Sequence, residues 1–252
     1  MSTDHFPELV AIVRKLRKDC PWDRQQTHES IRHHLIEETY EIIESIDNTD
    51  WNALCEELGD VLLHVILHSV IAEEKSEFHL EDVIEGINAK LIRRHPHVFG
   101  DTNVSGAEEV KQNWEKLKMI EGRKSHLDGV PKELPALLRA QRLQERAAKV
   151  GFDWEHRSDV WKKVDEEVKE FHAALEADDL EKAQEEFGDL LFSLVNYARF
   201  LKINPELSLR KTTDKFIKRF KHIEQKLKEQ GKDIQNVSLA EMDMLWNEAK
   251  DL

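Results

Sequence analysis

The second half of this 252-residue chain restates the first. "IEETYEIIESIDNTDWNALCEELGDVLLHVI" at 36–66 aligns without a gap to "DEEVKEFHAALEADDLEKAQEEFGDLLFSLV" at 165–195, an offset of 129. Upstream, "CPWD" at 20–23 faces "VGFD" at 150–153. Downstream, "KLIRRHPHVF" at 90–99 faces "KFIKRFKHIE" at 215–224, and "WEKLK" at 114–118 faces "WNEAK" at 246–250. The unit is too long for a solenoid repeat and implies a duplicated domain of about 120 residues.

Each copy reads as helix. Residues 28–48, 50–75 and 79–94 carry apolar positions three and four apart, and Leu58, Val61, Leu62, Val65 and Ile66 share one side. Only 9 Gly and 6 Pro fall in the whole chain, which disfavours many short strands. The helix through Arg94 is expected to stop before Pro96, which pushes its neighbour out of the helical region. "SGAE" at 105–108 and "SLAE" at 238–241 have the form of capping boxes. The fold class is therefore all-α, two bundles of four or five helices. Two glycines and two prolines fall within 122–135, read as a linker between domains at 1–121 and 136–252.

A formal net charge of −14 repels nucleic acid and anionic membrane surfaces. The most apolar run, 61–72, is too short for a bilayer span and is interrupted by His64 and His68. The N-terminus "MSTDHFPELV" has no apolar signal core, and two cysteines, Cys20 and Cys55, do not make a disulfide framework. A cytoplasmic protein is expected.

The acidic phrase explains what the repeat is for. Residues three apart on a helix share a face, so Glu167 pairs with Glu170 and Glu186 with Asp189. The short "EADD" turn at 176–179 brings both pairs together if the helices are antiparallel neighbours. Four converging carboxylates repel unless a cation sits among them. Mg²⁺ suits hard oxygen donors completed by a substrate phosphate. Lys215 and Arg219, four apart, and Lys250, four after Trp246, supply charge for a polyphosphate. For the basic residues alone a solvated face is the commoner explanation, and for Trp246 core packing is. Gly59 and Gly188 lie inside helices where alanine would be about 1 kcal/mol better, which suggests close packing beside the carboxylates.

"EETYE…EELGD" and "DEEVKE…EEFGD" resemble the EExxE…ExxD signature of the MazG-type nucleoside triphosphate pyrophosphohydrolases. "CPWD", "KLIRRHPHVF" and "GFDW" resemble further stretches of the tandem-domain members, so the likeness covers nearly the whole chain. The resemblance implies an all-α fold, a homodimer and dependence on Mg²⁺, with Mn²⁺ as substitute. It implies hydrolysis of a nucleoside triphosphate to monophosphate and pyrophosphate in a house-cleaning role. It makes Glu167, Glu170, Glu186 and Asp189 metal ligands, and Lys163, Lys182, Glu185, Lys215, Arg219, Trp246 and Lys250 nucleotide-binding residues.

The halves differ. Glu38, Glu41, Glu57 and Asp60 keep the acidic set as a second site, and Lys90, Arg94, Trp114 and Lys118 keep most of the basic one. But Lys182 faces Ala53 and Lys163 faces His34, so the C-terminal half is expected to be the working one. Two other functions compete. A di-iron bundle needs Glu-x-x-His pairs in both halves, and the counterparts of His64 and His68 are Ser193 and Tyr197. A nucleotide-binding adaptor without turnover would use the same residues and differs only in releasing no pyrophosphate.

Overall fold

A computed structural model of the chain describes residues 5–107, 109–110, 113–114 and 125–251, and no strand occurs among them. The chain forms two compact units, Met1–Leu117 and Lys118–Leu252. No helix of the described residues is long and apolar enough to cross a membrane.

In the first unit, α3 (Trp51–Glu74) is the central helix. Against it pack α1 (His5–Asp19), α2 (His28–Asn48) and α4 (Leu80–Arg94). Val13, Ile31, Ile66, Leu67, Val70, Ile71 and Leu80 form the core. Arg17 is buried and holds the unit's N-terminal loop. Its guanidinium donates to the Gln26 carbonyl at 2.9 Å and the Asp23 carbonyl, and pairs with Glu74 at 2.8 Å. As expected, α4 ends at Arg94; Pro96 then opens the single turn α5 (Pro96–Phe99).

The second unit holds α6 (Ala136–Ala148), α7 (Arg157–Glu176), α8 (Leu180–Phe200), α9 (Pro205–Glu229) and α10 (Leu239–Glu248). The α7–α8 hairpin is its most extensive packing, with α6 laid on α8. Ile223, Leu227 and Leu245 make a second core, with Trp246 packed against it. Residues 125–135 are turns and irregular backbone. There Gly129 takes a positive φ of 76°, a conformation that favours glycine, and its carbonyl accepts from Arg146 at 3.0 Å.

Both helical hairpins turn by the same device. Thr49 (φ 57°) and Asp178 (φ 55°) enter the left-handed region. The following aspartate then caps the next helix: Asp50 accepts from the Ala53 N–H at 3.0 Å, and Asp179 from the Lys182 N–H at 3.0 Å. This short turn sets α2 beside α3 and α7 beside α8, which is what lets their acidic residues meet.

Two local expectations differ from the structure, and a third lies partly outside the described residues. Of the apolar stripe on α3, Leu58, Leu62 and Val65 are exposed, and only Ile66 is fully buried. The helix instead buries the side bearing His64, Leu67, Val70 and Ile71, because α1, α2 and α4 all lie there. At 105–108 the Ser105 N–H and hydroxyl both donate to Glu109, and the Glu108 of the expected capping box lies outside the described residues. At 238–241 Ser238 accepts from the Glu241 N–H at 3.3 Å, but the Glu241 carboxylate is turned to Lys232.

Candidate metal and nucleotide site

The α7–α8 hairpin brings Glu167, Glu186 and Asp189 together, with one oxygen of each within 4.8 Å of the others. Glu167 and Glu186 are 4% and 5% exposed, whereas Asp189 is exposed. Two buried carboxylates so close would repel strongly, and two lysines relieve them. Lys163, one turn before Glu167, reaches it at 2.7 Å and Glu166 at 2.8 Å. Lys182, one turn before Glu186, reaches it at 2.6 Å and Glu185 at 3.1 Å. Hydrogen bonds to these glutamates hold both ammonium groups charged well above the usual lysine range. Glu170, one turn past Glu167, is exposed and lies outside the close set.

The α2–α3 hairpin repeats the arrangement with Glu38, Glu57 and Asp60, again within 4.8 Å. Glu41, like Glu170, lies outside the closest three, yet it is close enough to act on both Glu38 and Glu57. Among the described residues no lysine is paired with this cluster. His34, in the place of Lys163, pairs with Glu37 at 2.9 Å, and Ala53 stands where Lys182 does. Burial, a hydrogen bond that the protonated Glu38 donates to Glu41, and the charges of Glu41, Asp60 and Glu57 push the Glu38 carboxyl up to about 7. Burial, then the neighbouring charges of Glu41, Asp60 and Glu56, raise Glu57 as well. His64 approaches Glu38 at 4.0 Å, but burial, then the nearby His34, lower its pKa and favour the uncharged ring.

Carboxylates this crowded fit a hard divalent cation, and proton uptake by Glu38 is the response of the same donors without one. They suit a soft metal poorly, because among the described residues no cysteine or histidine belongs to either carboxylate set.

The remaining basic residues gather elsewhere. Arg219 lies over the Trp246 ring at 5.4 Å, Trp246 meets Phe216 at 5.3 Å, and Lys250 donates to Asn247 at 2.6 Å. Lys215, on α9 one turn before Arg219, is exposed. No hydrogen bond, ion pair or ring contact among the described residues joins these four to the acidic cluster. In the first half Lys90 and Arg94 are on α4, whereas Lys118 lies outside the described residues.

The expectation for Gly59 and Gly188 is corrected. A Cβ at either would meet nothing within 4 Å, so among the described residues nothing packs closely against either glycine. Sequence reasoning also missed a cavity of about 840 Å³ beside the second cluster. Lys163, Glu167 and Asp189 line it, together with Gln144, Trp154 and Asn196. Arg199 fixes its rim, donating to Asp153 at 2.9 and 2.5 Å. A readable signal existed: the counterparts of Ser193, Asn196 and Arg199 are His64, Leu67 and Val70, a run of changed polarity inside the repeat.

A two-helix hairpin presenting clustered carboxylates, written twice in an all-α chain, defines a class of helical bundles with acidic sites that could hold a metal ion. The chain belongs to the MazG family: the model of the MazG nucleotide pyrophosphohydrolase domain matches residues 26–99 and again 157–224. It is 48% identical over 250 residues to the nucleoside triphosphate pyrophosphohydrolase/pyrophosphatase MazG of Thermotoga maritima, covering 97% of this chain and 95% of that one. It is 40% identical over 256 residues to the nucleoside triphosphate pyrophosphohydrolase of Escherichia coli K12, covering 98% and 97%. The crystal structure of a MazG-related protein from Thermotoga maritima aligns with a TM-score of 0.41 at 26% identity, over 45% of this chain and 98% of that one.

Proposed function

We propose that this chain hydrolyses nucleoside triphosphates to nucleoside monophosphate and pyrophosphate with Mg²⁺, for which Mn²⁺ substitutes, clearing unwanted nucleotides from the cytoplasmic pool. The observation that carries this reading is the convergence of Glu167, Glu186 and Asp189 between Lys163 and Lys182, in a chain of the MazG family. Bound Mg²⁺ would neutralise phosphate oxygens and lower the pKa of a coordinated water. Glu167, Glu186 and Asp189 hold it, with Glu170 completing the set from the next turn. Lys163 and Lys182, no longer needed as counter-ions to the carboxylates, turn their ammonium groups to the triphosphate, and Glu185 orients Lys182. Lys215, Arg219 and Lys250 add positive charge toward the phosphates, and Trp246 supports Arg219.

The C-terminal half, 136–252, is the working domain, joined through 122–135 to an N-terminal domain, 1–121, whose Glu38, Glu41, Glu57 and Asp60 form a weaker site. We further propose a homodimer. Leu58 and Leu62 on α3, and Phe187 and Leu191 on α8, are exposed beside the open space at Gly59 and Gly188. An apolar helix face with glycine in it suits close approach by a second helix. Free Cys20 and Cys55 fit a reducing cytoplasm.

Pyrophosphate and monophosphate release from a panel of canonical and damaged nucleotides tests the activity. Stoichiometric release of both with Mg²⁺ is expected. Tight binding of nucleotide with no pyrophosphate would instead support the adaptor.

A further inference from the structure

We infer that the cavity between α6, α8 and the 151–154 loop receives the nucleobase of the substrate, and that Gln144 selects it. This rests on the proposed triphosphate site and adds to it a place for the other end of the nucleotide. The cavity adjoins that site, since Lys163, Glu167 and Asp189 are among its lining residues. A triphosphate held there leaves its nucleoside end to the rest of the lining.

Those walls have the chemistry a base requires. Trp154, Phe152 and Phe192 line the cavity with much of each ring uncovered; Phe152 is 82% exposed. Uncovered aromatic faces at a polar mouth are stacking platforms for any base. Orientation needs polar groups, and Gln144 supplies one. Its side chain is 7% exposed, and its Nε2 donates to the Phe192 carbonyl at 2.8 Å. That bond fixes the amide, because only the nitrogen end can donate to a carbonyl. Its Oε1 is thereby committed as an acceptor, and it is buried with no partner. A buried acceptor left unmet is costly, and every nucleobase carries an N–H that would meet it. Asn196 is fixed the opposite way. Its Oδ1 accepts from Arg199 at 3.0 and 2.8 Å, which leaves its amide N–H₂ to donate. The cavity thus offers one fixed acceptor and one fixed donor between aromatic walls, a pair suited to a base edge.

The other half of the chain is an internal control. Where the C-terminal half has Ser193, Asn196 and Arg199, the N-terminal half has His64, Leu67 and Val70, all three buried. Leu67 and Val70 belong to the apolar core there. Arg17 of α1 takes over the task of pinning the loop. The half without the lysines also fills the corresponding helix face with core, so the polar edge and the working charge set occur together.

Affinity for non-hydrolysable α,β-methylene analogues tests this on the full chain with Mg²⁺. The probes are the four common nucleoside triphosphate analogues and the matching ribose compound with no base. The wild type is expected to bind at least one nucleotide roughly tenfold or more tighter than the baseless compound. Gln144→Leu is expected to reduce that ratio to about twofold, with affinity for the baseless compound unchanged. Asn196→Leu, which installs the residue of the N-terminal half, is expected to act the same way and serves if Gln144→Leu does not fold. A ratio unchanged in these variants, or one that follows Trp246→Ala instead, overturns the assignment. Failure of the pyrophosphohydrolase proposal would look different: base-dependent binding retained, with no pyrophosphate from any hydrolysable nucleotide.

Discussion

The two acidic hairpins share a backbone and differ in what neutralises them. In the second, Lys163 and Lys182 bond to Glu167 and Glu186 at 2.7 and 2.6 Å. In the first, His34 bonds outward to Glu37, Ala53 offers nothing, and Glu38 holds its proton up to about pH 7. The same carboxylate geometry therefore gives one site with resident cations one helical turn away and one site that meets its own repulsion by protonation. The difference teaches that carboxylate spacing alone does not make the two halves equivalent. A triphosphate brings four negative charges of its own, and among the described residues only the second cluster has lysines bonded to its carboxylates.

Removing the metal should break the comparison altogether, and it is the largest effect expected. Excess chelator should lower pyrophosphate release by about a thousandfold or more, restored by Mg²⁺. Undiminished turnover in chelator would refute the metal site in both halves. Next in size is Lys182→Ala, which makes the second half resemble the first. Losing one charge on the phosphates should lower turnover roughly a hundredfold. A loss of less than about threefold would mean that Lys182 serves only as a counter-ion to Glu186.

The smallest effect concerns stability in the first half. The folded-state pKa of Glu38 is raised above its unfolded value, so the folded state binds the proton more tightly. The stabilisation is complete below about pH 4.5 and is lost as the pH rises through about 7. Glu38→Gln should therefore raise the melting temperature of the metal-free protein at pH 8, by roughly 2–4 °C, and leave it nearly unchanged at pH 4.5. Saturating Mg²⁺ should erase the gain. A rise of equal size at both pH values would show that it has another cause.

Much of this architecture is legible in the sequence, because it rests on spacing. The 129-residue offset, the capped turns before Trp51 and Leu180, and the Glu-to-Asp intervals are all periodic features, and each fixes a helix face. Gly59 and Gly188 were legible as unusual but not as open to space, because a glycine in a helix signals close approach without saying by what. The stripe at Leu58, Leu62 and Val65 misleads for a related reason: an apolar face meant for another surface has the same period as one meant for the core. Gln144 could not have been found from spacing. Its importance comes from one carbonyl on a neighbouring helix that orients its amide, a contact 48 positions away in sequence. Nor does spacing reveal that Glu41 sits close enough to act on both Glu38 and Glu57.

The central claim is that the lysine-bearing half does the chemistry. Glu186 and Glu57 occupy the same position in the two repeats, so their glutamine variants form a matched pair. Pyrophosphate release by both, side by side at saturating Mg²⁺ and nucleotide, is the most direct measurement. Glu186→Gln is expected to lose about a hundredfold or more, and Glu57→Gln to keep at least roughly half of the wild-type rate. If Glu57→Gln proves the more damaging of the two, the working site lies in the first half and the role given to Lys163 and Lys182 is wrong.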